Sequence, residues 1–343
     1  MATSPAPASA PRRRRRGFPR WAPAALLGSA VVIVLVLIGW VGWLVTTGLQ
    51  ALGAEPPGVG TTIVAPEESK AAKAAASGTL STVEQAAAEY LAGRPTAYWL
   101  TPEIDPVGEV GARVLALAAE ARKQSAALAL VVYGLPERDC GNHSAGGLDD
   151  DDYDVWTAQI GQALDSIKDV QKIVVLEPDS LALAPECGNV AERTAQLHDA
   201  VDRLAGVDTW IYLDGGHSSW LSAGEMADLI RRVDASDARG FALNVSNYNP
   251  TSAEFAYAHE IAQILGGGHA LIDTSRNGAG ATSDWCNPPG RLVGDAGGTY
   301  GDDVVDTNLW IKPPGESDGE CHGGPPAGAW WPAASVELTR DVR

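Results

Sequence analysis

The feature that most constrains this chain is an alternation. Six short apolar runs rich in β-branched residues, at 127–133, 173–176, 209–213, 240–245, 270–272 and 308–311, each end abruptly in polar or acidic residues. Among them lie alanine-rich stretches with helical spacing of their apolar positions, at 110–122, 155–167, 190–204 and 253–265. Alternating strand and helix implies parallel strands, since a parallel pair needs a long crossover and a helix supplies it. With six or more such units, a β/α barrel is favoured over an open sheet, and its chemistry gathers at the C-terminal ends of the strands.

Those ends are unusually rich in acids. They read Tyr133-Gly-Leu-Pro-Glu-Arg138-Asp139-Cys140, Glu177-Pro178-Asp179-Ser180, Asp214-Gly-Gly-His217-Ser-Ser-Trp220, Asn244-Val-Ser-Asn247-Tyr248-Asn249, Asp273-Thr-Ser-Arg276-Asn277-Gly278 and Lys312-Pro-Pro-Gly-Glu316-Ser-Asp318. Any one of them is also an ordinary turn or helix N-cap, where Asp, Asn and Ser are favoured. Six together are harder to assign to turns. Convergent carboxylates with Trp99, Trp220, Trp285 and Trp310 nearby suit glycoside hydrolysis, in which one acid protonates the leaving oxygen and a second carboxylate assists water. Indoles would stack on sugar faces; the alternative for each is plain core filling.

Other chemistries lack their signatures. The six histidines form no HxxxH or HxH pair, and the acidic run Asp149–Asp152 lacks the glycine and distal glutamate of a calcium loop. No Gly-x-Ser-x-Gly, phosphate loop or dinucleotide fingerprint is present. No metal and no cofactor is expected.

The 343 residues carry a net charge of −18, although Arg12 to Arg16 and Arg20 stand in an N-terminal region free of acids. The remainder is therefore still more acidic, which disfavours nucleic acid and leaves a neutral polysaccharide unpenalised. Residues 22–45 hold no charge and are long enough to cross a bilayer. The organisation expected is a cytoplasmic basic tail (1–21), a transmembrane signal anchor (22–45), a flexible stalk rich in Ala, Gly, Pro and Ser (46–81), and a catalytic domain (82–343) outside the cytoplasm. A cleaved signal peptide, giving a secreted form, is the alternative for the apolar segment. The four cysteines, Cys140, Cys187, Cys286 and Cys321, allow three pairings. The sequential one is preferred on position, because it would pin the loops carrying Asp139 and Asp318.

Taken together, Arg138-Asp139-Cys140, Glu177-Pro178-Asp179, Leu213-Asp214-Gly-Gly-His217, Asn244-Val-Ser-Asn247-Tyr248, Ile272-Asp273-Thr-Ser-Arg276-Asn-Gly278, Asp284-Trp285-Cys286 and Trp310-Ile-Lys312-Pro-Pro-Gly315-Glu316-Ser-Asp318 resemble glycoside hydrolase family 6. The resemblance runs from about Trp99 to Trp330. It implies a distorted, incomplete β/α (TIM-like) barrel, β-1,4-glucan as substrate, an inverting mechanism, and the pairs Cys140–Cys187 and Cys286–Cys321. It makes Asp179 the general acid, Asp139 the neighbour that raises its pKa, and Asp318 the aspartate proposed as base. Tyr133 would crowd the distorted sugar, Lys312 and Glu316 would bind hydroxyls, and Trp99, Trp220 and Trp285 would stack on sugars, with Asn247 and His217 also on the substrate. Two positions depart from the family: Ala145, beside Ser144, stands where a water-holding serine is usual, and Gly134 where a polar residue is common. Short loops and the absence of a separate binding domain favour endo-type cutting by a monomer. The alternatives are a cellobiohydrolase, or an impaired, membrane-anchored glucan-binding protein.

Overall fold

The structure is a computed structural model that describes residues 53–141 and 146–343, with Val36 apart from them. Among the described residues, the helices α1 (Lys70–Ala76) and α2 (Thr82–Ala92) precede the first strand. Seven strands follow: β1 (Tyr98–Leu100), β2 (Leu128–Val132), β3 (Lys172–Leu176), β4 (Thr209–Asp214), β5 (Ala238–Leu243), β6 (His269–Asp273) and β7 (Val305–Leu309). They form one sheet in sequential order, and every neighbouring pair is parallel. The crossovers run through α3 (Val110–Gln124), α4 (Asp150–Ser166), α5 (Ser180–Cys187) with α6 (Val190–Leu204), α7 (Ala223–Val233) and α8 (Thr251–Leu265). A long loop joins β6 to β7, and α9 (Pro332–Leu338) ends the domain.

The sheet curls into an incomplete barrel, as expected. Among the described residues no ladder joins β7 to β1, but the Ala97 amide donates to the Trp310 carbonyl at 2.9 Å and the Trp99 indole to the Ile311 carbonyl at 2.9 Å. Period-2 alternation divides the strand residues between two cores. Leu128, Leu130 and Val132 of β2 face the helical layer, whereas Ala129 and Val131 join Ile173, Val175, Tyr212, Ala242 and Leu271 inside the barrel. Both faces are covered, so the strands read as continuous apolar runs. The helices lie close: a Cβ on Gly161 of α4 would come within 1.9 Å of the Arg203 carbonyl on α6, so only glycine permits this approach.

Residues expected to be stalk are, from Glu55 onward, part of the domain. The Gly60 amide donates to the Gly298 carbonyl, Val64 to Ala127, Ala127 to Thr62 and Thr96 to Val64, so the segment fills the seam between β2 and the loop before β7. Ile63 is 2% exposed and Val64 fully buried. The run Thr61-Thr62-Ile63-Val64 carries a strand signal, too short to stand out beside its Gly- and Pro-rich neighbours. The last strand also shifts, to Val305–Leu309 from the expected 308–311, because Asp306, Thr307 and Asn308 are buried with polar partners instead of ending a strand. The expected transmembrane segment 22–45, except for Val36, lies outside the described residues, as do Ser144 and Ala145. Within the described residues no helix is long and apolar enough to cross a membrane.

If residues 55–81 were a flexible stalk, Ile63→Ala would be silent. Packed as they are, it should cost about 2–5 kcal/mol, read as a lower midpoint in urea unfolding with an unchanged slope.

Candidate active site

Past the strand ends the backbone ladder stops, and buried carboxylates take over its hydrogen bonds. Glu177, at the end of β3, is fully buried and accepts from the Gly134 amide at 2.9 and 3.1 Å and from Leu135 at 3.3 Å, fixing the chain that leaves β2. A Cβ on Gly134 would lie 2.7 Å from the Trp156 ring, which accounts for glycine at this position. Asp214, ending β4, accepts from the Gly216 amide at 2.8 Å and from the Asp179 amide at 3.3 Å. Asp273, ending β6, accepts from four amides: Ser246 at 3.2 Å, Ser275 at 2.8 Å, Ile311 at 3.1 Å and Lys312 at 2.9 Å. Burial pushes Glu177 and Asp214 up to about 7 and raises Asp273, although the amides pull the other way.

Within this frame the backbone adopts positive φ at Glu137, Asp139, Cys140, Glu177, Asp179, Asn244 and Ser246. Left-handed residues without glycine cost about 1–3 kcal/mol each and persist where their surroundings hold them. Asp179 sits at φ 67° at the start of α5. Its pKa is raised well above the usual carboxylate range, first by burial and then by the charges of Asp214, Asp139 and Asp318, with Lys312 opposing. Asp139 accepts from the Tyr133 hydroxyl at 3.1 Å, and Arg138 lies 4.5 Å over the Tyr133 ring. Asp318 takes two contacts of 2.9 Å from Arg276, one of 3.0 Å from the Tyr248 hydroxyl and one of 3.1 Å from the Asn287 amide, with Lys312 Nζ at 3.9 Å. The three candidate aspartates and Lys312 thus come from the ends of β2, β3 and β7 into one electrostatic cluster.

The remaining expected residues divide. Trp99 is half-buried, edge-on to Tyr133 at 5.4 Å and 5.3 Å from Lys312 Nζ. Trp220 is half-buried and pairs with His217, whose pKa burial lowers to about 4, leaving it neutral. Trp285 is 48% exposed. Asn247 donates to the Val245 carbonyl at 3.0 Å, and Glu316 accepts from Lys70 at 3.1 Å. Trp310 is a correction: it is 4% exposed and donates to the Asp295 carbonyl, so it fills core. Cys140 is bonded to Cys187 and Cys286 to Cys321, and among the described residues no cysteine is free.

Sequence reasoning assigned no role to Arg276, Tyr248 or Glu254. The first two hold Asp318; Glu254 of α8, fully buried and raised to about 7 by burial, accepts from Ser218 N at 3.1 Å and Ser218 Oγ at 2.6 Å, pinning the loop of His217 and Trp220. Arg276 and Tyr248 lay within quoted motifs. Glu254 gave no local signal, because it reads as a helix surface residue until the fold covers it.

A family model described as "Glycosyl hydrolases family 6" matches residues 59–342. Endoglucanase A of Cellulomonas fimi is 40% identical over 270 residues, covering 78% of this chain and 58% of the relative. Endoglucanase A of Thermobispora bispora is 40% identical over 223 residues, covering 62% and 48%. The chain thus spans about half the length of these two relatives. Among solved structures, the endoglucanase Cel6 of Mycobacterium tuberculosis aligns with a TM-score of 0.74 at 36% identity, covering 81% of this chain and 96% of that one. The catalytic core of the cellobiohydrolase Cel6A of Chaetomium thermophilum aligns at 0.72 and 26%, covering 81% and 96%.

The buried acids set a pH dependence of stability. Glu177, Asp214 and Glu254 bind protons up to about pH 7 when folded, whereas unfolded carboxyls release theirs near pH 4. Their contribution is fully present below the unfolded pKa and is lost as pH rises through 7. The melting temperature should therefore be higher at pH 5 than at pH 8 in calorimetric scans at constant ionic strength.

Proposed function

The chain belongs to glycosyl hydrolase family 6, and on that premise we propose that it hydrolyses β-1,4-glucosidic bonds in β-glucans with inversion, cutting within chains. The observation that carries this reading is Asp179, a carboxyl at a parallel strand end whose pKa is raised by burial and by three neighbouring carboxylates. Such a group can act as a general acid near neutral pH.

In this reading Asp179 protonates the leaving oxygen while water attacks the opposite face of the sugar, and Asp139 raises the acid's pKa through its charge. Asp318 receives the proton released by water, directly or through another water. Its Oδ2 is engaged by Arg276, Tyr248 and Asn287, whereas Oδ1 faces Arg276 and, at 3.9 Å, Lys312. Oδ1 is therefore the oxygen for that proton. Tyr133 and the indoles of Trp99, Trp220 and Trp285 hold the chain, with Lys312, Glu316, Asn247 and His217 on its hydroxyls.

Endo action is supported by the endoglucanase relatives at 40% identity and by short loops: α4 begins at Asp150, soon after Cys140, and the second disulfide closes a separation of only 35 residues. Relatives named cellobiohydrolase, including one of Aspergillus niger at 31% identity, favour exo action as the second reading. We place the domain outside the cytoplasm, where its two disulfides would persist, tethered through residues 22–45.

Asp179→Asn should lower kcat on unactivated glucan by about 10²–10⁴-fold, because an amide delivers no proton, while substrates with a good leaving group are spared more. Asp139→Asn removes a charge that raises the acid's pKa, so the basic limb of the kcat/KM profile should move to lower pH. Both are read by initial-rate kinetics across pH, and wild-type rates in the Asp179 variant on cellulose would refute the assignment.

Product stereochemistry and cutting pattern give a separate test. NMR during early hydrolysis should show the new end first as the α-anomer; a β-anomer would mean retention. Viscosity of carboxymethylcellulose should fall steeply while few reducing ends appear. Cellobiose released with viscosity nearly unchanged would instead support exo action.

A further inference from the structure

Lys70 belongs to the segment expected to be stalk, yet its ammonium lies 3.1 Å from Glu316 Oε2, at the cleft edge marked by Trp99. Lys70 is about one-third exposed, whereas the Glu316 side chain is only 11% exposed. Both line a pocket whose walls include Trp99, Pro313, Ile104 and Trp330. The indole nitrogen of Trp330 is buried with no acceptor among the described residues. The cavity thus combines flat aromatic and apolar walls with a carboxylate acceptor and an ammonium donor, a lining suited to a neutral, hydroxyl-rich ring.

Charge order along this edge alternates: Lys70, Glu316, Lys312, Asp318. Lys312 is held below the ordinary lysine range by burial, is favoured as a cation by Asp318 and Glu316, and is opposed by Arg276 and Lys70. A Glu316 carboxylate released from Lys70 would turn toward Lys312, the other ammonium whose field it feels, and its oxygens would no longer be set for a sugar.

We propose that Lys70 is a positioning residue of the glucan cleft: it fixes the Glu316 carboxylate so that the cavity beside Trp99 accepts a glucosyl unit. The proposal rests on the hydrolase reading above. The helix that leads the chain into the barrel then also completes the substrate cleft.

The test compares Lys70→Met, which keeps the aliphatic stem, with Lys70→Arg, which keeps the charge, and with Lys168→Met, a charge control in an exposed ion pair. On cellohexaose, Lys70→Met should raise KM roughly tenfold to 150-fold, the range expected for losing a hydrogen bond to a charged group, with kcat within about twofold. Lys70→Arg should restore most of it, and Lys168→Met should match wild type. Melting temperatures should agree within about 2 °C, since a part-exposed ion pair contributes little stability. An unchanged KM in Lys70→Met, or an equal rise in Lys70→Arg, overturns the proposal. If the wild type cleaves no β-glucan, the hydrolase reading fails by itself, and calorimetric titration with cellohexaose still decides the role of Lys70: weaker binding by Lys70→Met supports it, and equal affinity or no binding by either protein overturns it.

Discussion

Four backbone amides converge on the carboxylate of Asp273, and much of the cleft depends on that convergence. The donors come from the segments leaving β5, β6 and β7, where diverging loops no longer offer one another carbonyls. A buried amide without an acceptor costs about as much as a lost hydrogen bond, so a side-chain oxygen must replace the ladder. Asp273 thereby fixes the backbone of Lys312. It also fixes Ser246, whose carbonyl accepts from Arg276, the residue that grips Asp318. Glu177 does the same for the chain leaving β2, and Asp214 for the backbone of Asp179.

This arrangement links stability to chemistry. The carboxylates that stitch the strand ends are buried, and burial raises their pKa values. Asp214 also contributes, together with Asp139 and Asp318, to raising Asp179. The same low-dielectric mouth that raises the pKa of Asp179 makes the domain more stable under mildly acidic conditions. Strained, left-handed residues at these positions are retained because the stitches hold them.

The segments that were hardest to read are those whose role depends on distant partners. β1 has three residues, too few for a period to register, and exists because β2 pairs with it and the Trp310 carbonyl accepts from the Ala97 amide just before it. α7 was missed although Ser222 and Glu225 form a capping box, because the Gly- and Ser-rich approach to it reads as a loop. Residues 55–64 read as linker by composition and became seam filling through Ile63 and Val64. Asp306 is a charged residue inside β7, where it accepts from Tyr212 and Arg239. Trp310 is indistinguishable in sequence from Trp99, Trp220 and Trp285; in the fold its indole nitrogen donates to the Asp295 carbonyl.

By itself the sequence determined the parallel α/β architecture, since alternating apolar runs and amphipathic stretches admit few other solutions. It also determined which loops carry the acids, because the C-terminal end of each strand is known once the strand is. The motif residues Asp139, Asp179 and Asp318 follow from those two facts and the family resemblance. Only the tertiary structure decided which carboxylates hold backbone amides, and that Lys70 meets Glu316 across 246 positions of sequence. The physical reason is range: periodicity and turn chemistry are local and are written in neighbouring residues. Burial, charge coupling and hydrogen-bond satisfaction at a strand end depend on whichever distant segment the fold brings there.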